Sequence, residues 1–400
     1  MIPQLEAPVI PHTHVRPRMR PRSPHEPHRA ATPLELLFDL VFVVAIAQAA
    51  AAFHHSISEA HAAEGLIGFL TVFFGIWWAW MNFTWFASAY DCDDVPYRLA
   101  VFLQITGALI FAAGVKQMFA THDFNIATIV GYVIMRLAQV GQWVRAGLAD
   151  PEHRATAFRY AIGVTLCQVA WIVAYLGPPS WAMLSFLIVG PAELLTPVWA
   201  ERARVTTWHP HHICERYGLF TIIVLGESIL AATIAVQAAL ESGERFAPLS
   251  PIIIGGLVIV YAMWWLYFYR PVHDLLRHDH LGRAFVWGYG HFIVFAAAAG
   301  VGAGLSAAVD VVSHHSAIGT LGAGMAVAIP VALYVGALWF VHYRPSSRSH
   351  IALGPLAAVL IVLTPLAGLA AIPLIAAVLS ALVWLKIARF KTELGSGEHA

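Results

Sequence analysis

The residues able to do chemistry in this 400-residue chain stand inside runs of apolar sequence. Glu35 and Asp39 lie one helical turn apart in "LELLFDLVFVVAIA", residues 34–47. Carboxylates at that spacing share a helix face, and such a pair can bind a cation or exchange a proton. Arg136 in "YVIMRLAQ" and Glu227 in "LGESILA" are flanked by apolar residues. A charge at mid-bilayer costs roughly 2.5 to 3.5 kcal/mol on insertion scales, so each such group marks a functional hypothesis by default.

Helix rise places these groups along their spans. Arg136 is about 17 Å from either end of its span and Glu227 about 20 Å from the start of its own. Opposite charges at one depth predict an ion pair, which would serve either function or the packing of two helices. Five others lie shallower: Asp39 about 8 Å in, Gln104 about 9 Å, His291 and Glu193 about 10 Å, and Asn82 about 12 Å. At a common depth they would line a vestibule open to one side. Asn82 and Gln104 also suit interhelical hydrogen bonds, and His291 suits a satisfied core histidine.

Thr32-Pro33 followed by Glu35 is a capping box with proline at the first helical position. It accounts for Glu35. Asp39, in the second turn among Phe38, Leu40 and Phe42, is left for function. Of 21 histidines, His209, His211 and His212 cluster with Cys214 and Glu215 in "HPHHICE". This matches no defined metal motif, and no nucleotide loop or hydrolase elbow occurs. No metal and no cofactor is expected, and with no catalytic motif the balance is against an enzyme without deciding it. Gly300 and Gly304 form a small-xxx-small face for close helix packing.

The elements that must position these groups are membrane spans. The chain is 59% hydrophobic and 12% charged, against about 25% charged for a soluble domain. Apolar runs of about twenty residues occur near 34–53, 64–90, 98–119, 124–147, 158–176, 181–200, 214–240, 249–269, 284–309, 317–341, 351–369 and 372–389. The expected fold is therefore all-α: a polytopic integral membrane protein of about twelve transmembrane helices. The last two runs are nearly continuous, divided only around Leu369 to Pro373.

Alternate span ends hold most of the Lys and Arg, among them Arg98, Arg145, Arg154, Arg204, Arg277, Arg344, Arg348, Lys386 and Lys391. The opposite ends hold Lys116 and Arg245. The positive-inside rule then puts both termini in the cytoplasm. Residues 1–30, rich in Pro, Arg and His, are expected to be a disordered basic tail, and 392–400 a second tail. Glu35 faces Glu215, Ile76-Trp77-Trp78 faces Met263-Trp264-Trp265, and the run from Arg98 faces that from Arg283. These offsets predict two parallel six-helix repeats, 31–200 and 214–391, joined by a cytoplasmic connection at 201–213. Zero net charge gives no sign of a nucleic-acid partner. Three cysteines without CxxC spacing signal no disulfide framework.

"PLELLFDLVFVVAIAQ" at 33–48, "DDVPYRL" at 93–99 and above all "HHICERYGLFTIIVLGESILA" at 211–231 resemble the bacterial low temperature requirement A family. The resemblance covers nearly the whole chain. It implies an inner-membrane protein connected by name with growth in the cold, hence with stress response. Its family-like positions are Glu35, Phe38, Asp39, Asp94, Arg98, Glu215, Arg216, Gly226, Glu227 and Ser228, with Arg136 and His291 in less distinctive stretches. A weaker likeness is to potassium channels carrying F-S-D in their first helix, but "FDLVFVVAIA" lacks the Ser.

Three functions are compatible with these residues. The first is a permease-like carrier of a small solute or ion, with Asp39 and Glu227 sensitive to protons or cations and Arg136 either pairing Glu227 or binding an anion. The second is an ion channel lined by spans 1 and 7. The third is a non-transporting membrane protein, an enzyme or stress-response scaffold whose polar residues only hold helices together. Transport requires a wet cavity touching Asp39, whereas a scaffold would leave Asp39 buried and fully hydrogen-bonded. The partners expected are the lipid bilayer and a small solute or ion.

Overall fold

The structure, a computed structural model, describes residues 18–397 except 28, 122, 179, 271–272, 274–275, 277–280 and 344–352, with side chains described to Arg389. The described residues form twelve α-helices and no strand. The first six are α1 (Pro33–Ser58), α2 (Ala62–Tyr90), α3 (Val95–Thr121), α4 (Ile126–Ala149), α5 (Arg154–Leu176) and α6 (Trp181–Glu201). The next six are α7 (Pro210–Glu241), α8 (Phe246–Phe268), α9 (Leu281–Val312), α10 (Thr320–Leu338), α11 (Leu353–Leu363) and α12 (Ala371–Gly397).

Ten helical segments are long and apolar enough to cross a membrane. The protein is thus a polytopic all-helical membrane protein, as expected. Two features separate ten from the expected twelve. α4 is not among the ten, because Arg136, Gln139 and Gln142 give it a polar face. Leu353–Arg389 counts as a single segment, although it contains α11, a 3-10 stretch at Thr364–Ala370 and α12. Gly368, with φ of 60°, sits in that stretch, a conformation glycine adopts without strain. The break therefore starts about five residues before the Leu369-Pro373 division expected.

Local sequence explains several helix starts. Thr32 and Glu35 exchange both bonds of a capping box: the Glu35 amide donates to Thr32 Oγ1 at 3.3 Å and the Thr32 amide to Glu35 Oε2 at 2.8 Å. Asn125 and Thr128 do the same for α4, and His209, followed by Pro210, caps α7. α10 ends in a π-helical turn, Trp339–Tyr343, which carries His342.

α9 is the most enclosed of the apolar segments and packs against α1, α2, α7, α8 and α10. Its small residues permit this: a methyl group built on Gly304 would overlap the Ala326 carbonyl of α10, so Gly304 serves close packing, as the small-xxx-small reading expected. Gly131 does the same for the α3–α4 crossing, where a Cβ would overlap the Phe111 backbone.

The expected disordered tail does not extend over residues 18–27, 29 and 30. Met19 is fully buried, and the Arg22 amide donates to Ala89 O at 2.8 Å. The buried Arg29 guanidinium donates to Ser88 O and Ala87 O at 2.5 and 2.8 Å. Both carbonyls lie in the last turn of α2, where a helix terminus leaves carbonyls short of donors; Ala87 O also accepts from the Asp91 amide at 3.0 Å. Residues 1–17, Arg277, Arg344, Arg348 and residues 398–400 lie outside the described residues, as does the side chain of Lys391.

Candidate functional site

Glu35 and Asp39 on α1 meet His212 and Arg216 on α7. Each acidic residue is four positions from the other, and so is each basic one, so the two helices run parallel here and match turn for turn. Arg216 donates through Nε to Asp39 Oδ2 at 2.9 Å and through Nη2 to Asp39 Oδ1 at 2.5 Å, a bidentate pair. Its Nη1 lies 2.8 Å from Glu35 Oε1, an ion contact off the hydrogen-bond axis. His212 Nε2 is 3.3 Å from Glu35. From α2, Trp80 Nε1 donates to Asp39 Oδ1 at 2.7 Å. All five side chains are buried.

Aromatic rings wall this cluster. Phe38 stacks with Phe42 and lies 4.1 Å from Phe83 between ring centroids, and Trp80 stacks on Phe220 at 4.1 Å. Water is thereby kept from the charges, which strengthens their attraction.

A second polar core lies among α2, α4, α5 and α6. Glu193 accepts from Trp78 Nε1 at 2.8 Å, Arg136 Nη2 at 2.9 Å, Gln168 Nε2 at 3.1 Å and the Tyr132 hydroxyl at 3.2 Å. Arg136 also donates to Gln139 Oε1 at 3.2 Å. The expected Arg136–Glu227 pair is therefore corrected: similar depth placed them together on paper, but Arg136 faces α6, whereas Glu227 is on α7. Glu227 is 8% exposed, and its Oε2 is buried without a hydrogen-bond partner among the described residues.

The remaining pathway candidates disperse. Gln104 Nε2 donates to Gln142 Oε1 at 2.9 Å. His291 takes the satisfied-core form: its Nδ1 is 2.7 Å from Trp287 O, and its Nε2 is 3.1 Å from the Tyr267 hydroxyl and 3.3 Å from His342 Nε2. Asn82 donates to Trp78 O at 2.8 Å and lines a cavity of about 30 Å³ with Trp85, Trp143, Glu201 and Tyr289. That is room for a water or two. The expected set of Asp39, Asn82, Gln104, Glu193 and His291 thus does not share one vestibule in this conformation.

Two comparisons with known proteins bear on these positions. The sequence profile described as Bacterial low temperature requirement A protein (LtrA) matches residues 30–388. The chain belongs to this family. The LtrA match covers every helix that contributes to the two polar cores. An uncharacterized protein of Rhizobium meliloti (strain 1021) is 26% identical over 340 residues, covering 78% of this chain and 77% of that protein.

The motif residues that carried the resemblance fall into distinct places in this LtrA chain. Asp94 accepts from the Tyr97 amide at 2.9 Å and from Arg145 Nη1 at 2.8 Å, pinning the start of α3 to the end of α4. Arg98 instead pairs with the exposed Asp93. Ser228 donates to Ala298 O of α9 at 2.9 Å. Gly226 lies exposed on α7, and Glu215 is half-buried. Beside the cluster, in the turn between α2 and α3, burial and then the charge of Glu35 push the Asp91 carboxyl up to about 6.

Arg216 is the residue that reasoning from span composition undervalued, since only the family likeness singled it out. Its signal was present: an E-x-x-x-D spacing in one span and an H-x-x-x-R spacing in another are complementary when the helices run parallel.

Proposed function

We propose that this LtrA chain is a permease-like carrier of a small polar solute or ion, resting with one end of its seam latched. Two six-helix groups, residues 31–200 and 214–391, meet where α1 lies along α7. The observation that supports the reading is the buried Glu35–Asp39–Arg216–His212 cluster across that seam. A permanent interface gains little from buried ions, since replacing them with packed apolar side chains is often neutral or stabilising by about 1–4 kcal/mol. An interface that opens does gain, because released charges rehydrate instead of exposing apolar surface to water.

Glu227, whose buried Oε2 has no hydrogen-bond partner among the described residues, serves as the proton- or cation-sensitive group, and Glu193 fixes Arg136 as an internal strut. A duplication is supported by packing order: the first helix of each group packs on the third, the third on the fourth and the fourth on the fifth. Twelve passages with both termini on the cytoplasmic side of the bacterial inner membrane are supported by the twelve apolar runs of the sequence and its Lys/Arg bias. Twelve also suits α11, whose Gly354 meets Trp339 at one end of α10, while Pro365 meets Gly324 toward the other.

A scaffold reading is favoured by one observation: Asp39 is buried and its two oxygens accept three hydrogen bonds. The channel reading has no such support, because charged side chains bridge the starts of α1 and α7 directly. The deciding experiment labels Cys214, two residues before Arg216, with a membrane-impermeant maleimide in inside-out vesicles, after Cys92→Ser and Cys167→Ser. For a carrier, Arg216→Gln raises the labelling rate several-fold while the protein stays monodisperse. An unchanged rate assigns the seam a permanent structural role.

A further inference from the structure

The far end of α1 borders an apolar, open groove. This groove of about 610 Å³ runs between the end of α1 with the start of α2 on one side and α10 on the other, with α9 as its floor. Phe53, Leu66 and Phe69 face Ala297, Met325 and Ile329 across it. The Glu35–Arg216 cluster stands at the opposite end of α1.

We infer that this groove is a binding site for one acyl chain of a membrane phospholipid, in the leaflet away from the ion cluster. The inference rests on the chain being a membrane protein and not on its being a carrier. Three observations carry it. The groove lies on membrane-spanning helices, where the surrounding solvent is hydrocarbon. Along α10 it extends from Gly322 to Leu333, about 16 Å of helix, which matches the roughly 15 Å of half a hydrocarbon core. Polar groups stand at its end: Ser58 and His61 flank the lining residues Ile57 and Ala62, and both Ser58 and His54 reach Asp310 at 2.7 Å. The acyl chain therefore lies along the apolar wall with its headgroup at the level of these side chains.

Occupancy has a consequence for the seam, because the groove joins residues of both helix groups. The lipid fills space that side chains leave open and so ties the two groups together at the end the ions do not reach.

The test uses full-length protein in liposomes of phosphatidylethanolamine and phosphatidylglycerol, doped with a phosphatidylethanolamine bearing a diazirine on its acyl chain. Photolysis should concentrate label on α9 and α10 peptides spanning residues 292–300 and 318–333. Ala326→Trp, which fills the groove, should cut that label at least fivefold, while Leu184→Trp on the exposed face of α6 leaves it unchanged. Label spread evenly over all exposed helices of the wild type overturns the site without recourse to any variant. Equal labelling of a folded Ala326→Trp protein overturns it as well.

Discussion

Removing Arg216 is the most informative single perturbation of this protein. Charge centres about 4 Å apart attract by about 4 kcal/mol at an effective dielectric constant of 20, and Arg216 holds two carboxylates at contact distance. Burying each ion costs several kcal/mol in return, so the intact cluster is near balance. Arg216→Met removes the attraction but leaves Glu35 and Asp39 dehydrated. Loss of one partner of a buried pair costs about 3–5 kcal/mol. The expected result is an unfolding free energy, measured by steric trapping in bicelles, lower by about that amount. Adding Glu35→Gln and Asp39→Leu to the same chain should recover most of the loss, because no unpaired charge remains. Equal stability of wild type and Arg216→Met, or failure of the triple variant to recover any stability, would refute the electrostatic account of the cluster.

Glu193→Leu should destabilise the protein by a similar 3–5 kcal/mol, since it strands Arg136, whereas Gln104→Leu, which breaks one neutral amide contact, should cost about 1 kcal/mol in the same assay. Gly131→Val should cost about 1–3 kcal/mol or prevent assembly, because its side chain would overlap the α3 backbone, and fluorescence-detected gel filtration would show the loss of monodispersity. Asp91 makes stability depend on pH with a definite sign. Its native carboxyl, pushed up to about 6, holds a proton more tightly than the unfolded chain does near 4. Its contribution is therefore fully present below pH 4, declines between pH 4 and 6 and stays lost above. Asp91→Asn should remove that component from a titration of thermal stability.

Fold class was legible because the signal is additive: apolar runs of span length and capping residues such as Thr32 and Glu35 act locally. The division between α11 and α12 was less legible, since one glycine with positive φ interrupts a run that is apolar throughout. The candidate site was legible in its parts but not in its pairings. Counting residues along a helix yields depth, one coordinate of three, and depth alone placed Arg136 beside Glu227. Which helix each residue faces depends on packing between spans, and no stretch of sequence records that. The turn-for-turn spacing of Glu35 and Asp39 against His212 and Arg216 was the exception, because two matched intervals carry azimuth as well as depth.

The two indole donors of α2 have a mechanical consequence. Trp78 and Trp80 are two residues apart, so they leave the helix about 200° from each other, and each holds a carboxylate: Glu193 on α6 and Asp39 on α1. α2 therefore works as an axle with a peg on either side. A rotation large enough to free Asp39 from Trp80 also drags Trp78 from Glu193, and each hydrogen bond to a charged group contributes about 1.5–3 kcal/mol. Movement at the seam and rearrangement around Arg136 must then occur together, or α2 must stay still while α7 moves past it.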